Sequence, residues 1–85
     1  MSRVTIFSTG TCPLCEKTKE LLTKWSVGYD ECRVDLDQAC LKKMLQVSNN
    51  ARSVPQIMID EKWIGGFTEL TELHMDGELD DLLAG

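Results

Sequence analysis

Cys12-Pro13-Leu14-Cys15 stands between a short apolar run, Val4-Thr5-Ile6-Phe7, and a segment with helical patterning. That junction restricts the fold more than any other feature of the chain. A buried strand must feed a loop, Ser8-Thr9-Gly10-Thr11, whose composition is that of a turn. The loop must then open directly into a helix. Pro13 suits the first helical turn, where its missing N–H costs nothing. Two thiols at i and i+3 share one helix face, roughly 5–6 Å apart between Cβ atoms. A disulfide needs its Cα atoms about 4.4–6.8 Å apart, so such a pair cycles between dithiol and disulfide with little rearrangement.

Beyond this junction the pattern alternates. In the first helix Cys15, Thr18, Leu22 and Trp25 form one stripe, with Leu21 beside it, and Glu16, Lys17, Lys19, Glu20 and Lys24 take the other faces. Val27-Gly28 ends that helix. Tyr29 to Leu36 reads as a second strand, with Cys32, Val34 and Leu36 alternating. Asp37 is the expected N-cap of a second helix running to about Val47, with Leu41, Met44, Leu45 and Val47 as its apolar stripe. Ser48-Asn49-Asn50 breaks it. Pro55 opens a third strand, Gln56 to Ile59, whose run Ile57-Met58-Ile59 predicts burial on both faces. Asp60-Glu61 predicts a tight hairpin into Lys62-Trp63-Ile64, and Gly65-Gly66 closes that strand. Thr68 is the expected cap of a third helix carrying Leu70, Leu73 and His74. Asp76-Gly77 interrupts, and Glu78 to Leu83 predicts a last helical turn or two. The order β-α-β-α-β-β-α requires a parallel βαβ unit followed by an antiparallel hairpin, giving an α/β fold with a four-stranded mixed sheet flanked by helices.

With 85 residues, one domain spanning 1–85 is expected. The net charge of −5 argues against a protein that tracks nucleic-acid phosphates and against docking on anionic membranes. Residues 1–11 lack the pattern of a secretory signal, and no apolar stretch approaches the roughly 18 residues that span a bilayer. The expected location is the cytoplasm, where thiols are kept reduced. Four cysteines could instead form two structural disulfides in a secreted miniprotein, but the missing export signal and the good apolar patterning oppose that.

A C-x-x-C beside a βαβ pattern in a cytosolic chain reads as a redox site of the thioredoxin type. The thiolate is the nucleophile. Cys12 falls where the helix begins, among unpaired N–H groups and a partial charge of roughly +0.5, and both stabilise an anionic sulfur. Lys17 and Lys19 add to this; Glu16 and Glu20 oppose it. Cys15, one turn in and on the buried stripe, is expected to stay protonated until it resolves a mixed disulfide at Cys12. A zinc ribbon would need two C-x₂-C pairs. Cys32 lies at a suitable distance from Cys15, but Cys40 follows it by eight residues and makes no second knuckle. No metal set is therefore expected, Cys32 and Cys40 read as core or half-buried filler, and His74 as a helix-surface residue.

Taken together, the chain resembles the glutaredoxins over nearly its whole length. The resemblance rests on Thr11-Cys12-Pro13-Leu14-Cys15, on Arg52-Ser53-Val54-Pro55-Gln56 and on Ile64-Gly65-Gly66-Phe67-Thr68-Glu69-Leu70. It implies a thioredoxin-like fold of βαβαββα order and a glutathione-dependent reduction of protein disulfides and protein–glutathione mixed disulfides. Cys12 and Cys15 would be the catalytic pair, in an active-site turn with Thr11, Pro13 and Leu14. The resemblance further implies a cis Val54-Pro55 peptide facing the thiols, leaving the backbone of Val54 free to pair with glutathione as an added strand. Arg52, Ser53, Val54, Pro55, Gly66, Phe67, Thr68 and Glu69 would hold glutathione: the opening N–H groups of the third helix at the γ-glutamyl carboxylate, and Arg52 at the glycyl carboxylate. Glutathione would be a co-substrate, with no tightly bound cofactor. The implied partners are disulfide-containing proteins, with ribonucleotide reductase one family-level candidate, and the implied state is a monomer.

Two positions depart from the family pattern. Leu14 stands where many members have Tyr, and Thr9 where many have Lys, which shifts more of the glutathione contact onto Arg52. Two rival readings follow. One is a redoxin reduced by a flavin-dependent thioredoxin reductase. The other is a [2Fe–2S] module ligated by Cys12 and glutathione between two subunits; members of that kind usually carry a smaller residue in place of Pro13.

Overall fold

The computed structural model describes residues 3–84. Along the chain run β1 (Val4–Ser8), α1 (Pro13–Lys24), β2 (Asp30–Arg33), α2 (Gln38–Val47), β3 (Gln56–Ile59), β4 (Lys62–Gly65), α3 (Phe67–Met75) and α4 (Glu78–Ala84). The sheet order is β2-β1-β3-β4. β1 and β2 are parallel, β3 is antiparallel to β1, and β4 is antiparallel to β3. This is the expected thioredoxin-like arrangement, a mixed sheet with helices on both faces.

Alternation along the strands divides the core. Val4 and Ile6 of β1 and Ile57 and Ile59 of β3 face Leu22 of α1, Leu70 of α3 and Leu79 of α4, with Trp25, Val27, Tyr29 and Leu73 at the margin. Phe7 and Met58 face the other way, onto Met44 of α2, with Cys32, Val34, Val47 and Val54 around them. The larger cluster therefore fixes α1 and α3, whose N-termini flank the Cys12 loop. The smaller one backs the loop at Val54. The tight hairpin forms without glycine because Asp60 takes the left-handed region, at φ 56°, which Asp tolerates better than most residues. The Asp60 carboxylate accepts from the Arg3 N–H at 2.8 Å, and the Asp60 N–H donates to the Arg3 carbonyl at 2.7 Å.

Four expectations need correction. The second strand stops at Arg33 rather than Leu36. Its last ladder bond runs from the Val34 N–H to the Ser8 carbonyl, after which the Arg33 carbonyl takes the N–H groups of Leu36 and Asp37 and closes a turn. Leu36 is left 75% exposed. Secondly, the stripe of α2 runs through Cys40, Met44 and Val47, and Leu41 faces out; the Asp37 cap itself is as expected, accepting from the Ala39 N–H at 2.9 Å. Thirdly, α3 is capped two residues earlier than Thr68. Gly66 is its N-cap, and the Glu69 carboxylate accepts from the Gly66 N–H at 2.6 Å. Thr68 lies within the first turn. Lastly, Cys32 and Cys40 are not filler: they form a disulfide, with Cα atoms 5.5 Å apart. The turn after β2 folds the chain back so that the first turn of α2 faces the α2 side of the outermost strand.

Candidate active site

β1 carries the chain to the Cys12 loop, and an ion-paired side chain holds that loop in place. Asp35 accepts from the Gly10 N–H at 3.1 Å while bound at two points to the Arg33 guanidinium. That guanidinium, with the Gly10 N–H, holds the Asp35 carboxyl well below the usual carboxylate range. Cys12 then serves as the N-cap of α1, with extended backbone and Pro13 as the first helical residue. Its sulfur accepts from the Cys15 N–H at 3.0 Å. This is the capping geometry of Ser or Asp with a sulfur substituted for the oxygen, and it aims a backbone donor and the positive end of a twelve-residue helix at one atom.

The two thiols are free and differ in setting: Cys12 is half-buried and Cys15 fully buried. Burial, then the hydrogen bond with Cys12, push the Cys15 thiol up to about 12. Nearby cations are already engaged. Lys19 pairs with Glu16 at 2.8 Å and Glu31 at 3.0 Å, and these two carboxylates, Glu16 first, raise its affinity for a proton. Glu31 is lowered in turn by the Ser8 hydroxyl and then by Lys19. Lys17 lies over the Phe67 ring, 5.9 Å from its centre.

Across from Cys12, the Val54-Pro55 peptide is cis. The Cys12 thiol reaches the Val54 carbonyl at 3.8 Å. A groove of about 280 Å³ continues from there, lined by Leu14, Ser53, Val54, Pro55, Gln56, Trp63, Gly66, Phe67, Thr68 and Glu69. Of the eight residues expected to hold glutathione, Ser53, Val54, Pro55, Gly66, Phe67, Thr68 and Glu69 line it, and Arg52 is exposed and lies outside the lining. Thr11 on the loop and Pro13 at the start of α1 are exposed, and Leu14, 48% exposed, forms one wall. Gly65 and Gly66 make room at the far end. Gly65 has φ +110°, and a Cβ there would sit 2.6 Å from Cγ of Glu69; one on Gly66 would meet the Pro55 carbonyl at 3.0 Å.

Gln56 and Trp63 were missed as site residues. The Trp63 indole N–H donates to the Gln56 amide oxygen at 2.9 Å, and the Gln56 amide nitrogen donates to the carbonyl and hydroxyl of Ser53 at 3.0 and 3.2 Å. The chain of bonds ties β4 to the Ser53-Val54 backbone. The signal for it was a glutamine inside a strand expected to be buried on both faces, since a buried amide must find partners. His74 lies elsewhere, stacked on Trp25 with ring centres 3.8 Å apart. Among the described residues no group of His, Cys, Asp or Glu is arranged to hold a metal ion.

A half-buried sulfur at a helix head, with a buried thiol one turn behind it on this sheet, defines a class of protein: the thiol–disulfide oxidoreductases of the thioredoxin fold. The family model described as Glutaredoxin matches residues 4–64. A glutaredoxin of Neisseria meningitidis is 45% identical over 84 residues, covering 98% of both chains. Glutaredoxin 3 of Escherichia coli is 39% identical over 83 residues, covering 98% of this chain and 99% of that one. The crystal structure of a buckwheat glutaredoxin–glutathione complex superposes with a TM-score of 0.85 at 29% identity, covering 98% of this chain and 77% of the other. The chain belongs to the glutaredoxin family.

Proposed function

We propose that this thiol–disulfide oxidoreductase is glutathione-dependent and acts through Cys12 as attacking and Cys15 as resolving thiol, as a single cytoplasmic domain. The observation that carries the reading is the pairing of the Cys12 sulfur with the Cys15 N–H at 3.0 Å while the Cys15 sulfur is buried. One sulfur is reachable and faces a backbone donor at the head of a helix; the other is kept protonated beneath it.

With a protein–glutathione mixed disulfide, Cys12 thiolate attacks the glutathione sulfur. The S–S bond breaks, the protein leaves as a thiolate, and a second glutathione thiolate releases glutathione disulfide and restores Cys12. With a protein disulfide, Cys12 forms a mixed disulfide with one substrate sulfur and expels the other. Burial, the largest of the influences that raise Cys15, persists when Cys12 is bonded, but the hydrogen bond with Cys12 weakens. Cys15 then gives its proton to the substrate thiolate expelled in the first step and attacks Cys12, breaking the mixed disulfide and freeing the reduced substrate. Two glutathione thiols reopen the Cys12–Cys15 bond.

The groove supports glutathione as the small thiol. An extended tripeptide can pair with Val54 as an added strand while its γ-glutamyl carboxylate meets the opening N–H groups of α3, which have no helical acceptors. Trp63 and Leu14 supply apolar walls, and exposed Arg52 is free to turn toward the glycyl carboxylate. The buckwheat relative in complex with glutathione supports the same reading. A coupled assay of a small glutathione mixed disulfide with glutathione and its reductase tests it. Cys12→Ser is expected to abolish turnover, and Cys15→Ser to keep deglutathionylation while losing reduction of protein disulfides. Turnover that persists in Cys12→Ser, or that needs thioredoxin reductase instead of glutathione, overturns the reading.

A further inference from the structure

The active site uses two of the four cysteines. The other two are joined on the opposite face of the sheet, where Cys32 of the outermost strand meets the third residue of α2. The bond is not sealed in the core. Both residues are half-buried and line an open groove of about 400 Å³ that also contains Phe7, Met58, Lys43, Arg3, Asp60 and Glu61. A small molecule can therefore approach the sulfurs, as it could not if they were core filler.

The two sulfurs are unequal. Cys40 sits in the first turn of a ten-residue helix, where backbone N–H groups and the helix dipole favour a departing thiolate. Asp37 at the cap opposes this, but its carboxylate is already bound to the Ala39 N–H. Lys43, one turn beyond Cys40, makes no ion pair among the described residues and faces the same groove. Cys32, on the strand, has neither advantage. Exchange is fastest when the better-stabilised thiolate leaves, so an incoming thiolate is directed to the Cys32 sulfur.

We propose that Cys32–Cys40 is a second thiol–disulfide exchange site, open to small thiols of the glutathione class, whose state sets how firmly α2 backs the Val54 loop. A thiolate attacks the Cys32 sulfur, forming a mixed disulfide there as the electron pair of the old S–S bond leaves on Cys40. A second thiolate attacks the small-molecule sulfur of that mixed disulfide, releasing the small disulfide and Cys32 thiolate. The pair gains two electrons, and two small thiols lose them; the small disulfide runs the sequence backwards and closes the bond. The link to the active site is packing. Cys32 and Val54 border the same Phe7–Met44–Met58 cluster, and the Val54 carbonyl lies 3.8 Å from the Cys12 sulfur. Met44 is the only fully buried residue of α2, so opening the disulfide removes the helix's one covalent hold on the sheet.

The full chain carrying Cys12→Ser and Cys15→Ser isolates the second pair. It is equilibrated in graded mixtures of glutathione and glutathione disulfide, quenched with an alkylating reagent and read by mass spectrometry. The expected result is a two-electron transition, from no alkylated thiols to two, inside the accessible range of mixtures. Adding Cys40→Ser should trap one glutathione on Cys32. Two free thiols in every mixture, or a bond that never opens, overturns the exchange site. Coupling is read with the active site intact in Cys32→Ser/Cys40→Ser: a two- to five-fold loss of kcat/KM, mostly in KM, with kcat near that of the parent. Unchanged KM overturns the coupling. If that variant does not fold, the parent chain is assayed after poising its second pair open or closed, with the same expected difference. The exchange measurement contains neither Cys12 nor Cys15, so its failure leaves the active-site reading standing, and the converse also holds.

Discussion

The two cysteine pairs occupy opposite faces of one sheet and show how placement decides sulfur chemistry. Cys12 and Cys15 lie within a single helical turn, and the backbone of one caps the sulfur of the other. Cys32 and Cys40 are separated by a turn and joined between a strand and a helix. The first pair is split into a reachable sulfur and a buried one. The second is bonded, both members are half-buried, and it staples the smaller of the two cores. The difference is not in residue type. It lies in whether the helix N-terminus is aimed at a free sulfur or at one held in a bond.

The largest expected effect separates the pairs by activity. Cys12→Ser should lower kcat/KM for a glutathione mixed disulfide by at least about 100-fold, in keeping with the loss of a nucleophile. Cys32→Ser/Cys40→Ser should cost only the few-fold stated above. Comparable losses from both would erase the distinction. Next come the cores on which the two faces rest. Leu22→Ala and Phe7→Ala each remove a fully buried side chain and should cost about 2–5 kcal/mol in denaturant unfolding. Only Phe7→Ala, which lies in the cluster that borders Val54, should also raise KM for glutathione substrates.

A smaller effect comes from pH. The Cys15 thiol of the reduced protein is raised in the folded state from an ordinary 9.0 to about 12. Its contribution to stability is therefore fully present below pH 9 and is lost as pH climbs toward 12. Unfolding of the reduced protein should show this alkaline decline, and Cys15→Ser should lose it. The smallest effect is at the third helix. Glu69→Ala removes the carboxylate bound to the Gly66 N–H and should cost about 1 kcal/mol, with a modest rise in KM because Gly66 lines the groove.

Much of this was legible in the chain because it is local. The Val4–Phe7 run, Pro13 at the helix start, the Asp37 cap and the fully buried Gln56–Ile59 strand follow from neighbouring residues alone. What was not legible depends on the chain's return to itself. Leu36 fits a strand pattern, yet the Arg33 carbonyl closes a turn before it. Glu69, three residues past Gly66, is a cap signal that Thr68 obscured. Cys32–Cys40 and Trp63–Gln56–Ser53 are contacts between elements, and no periodicity encodes them.

The central claim is that the Cys12 sulfur is reactive because a helix head is aimed at it, while Cys15 waits protonated and buried. Alkylation of the reduced chain, followed cysteine by cysteine across pH by mass spectrometry, tests it most directly. Cys12 should be modified first at every pH, at least tenfold ahead of Cys15 near neutrality, with Cys15 reacting appreciably only in strong alkali. Equal rates at the two sulfurs, or Cys15 reacting first, would contradict it.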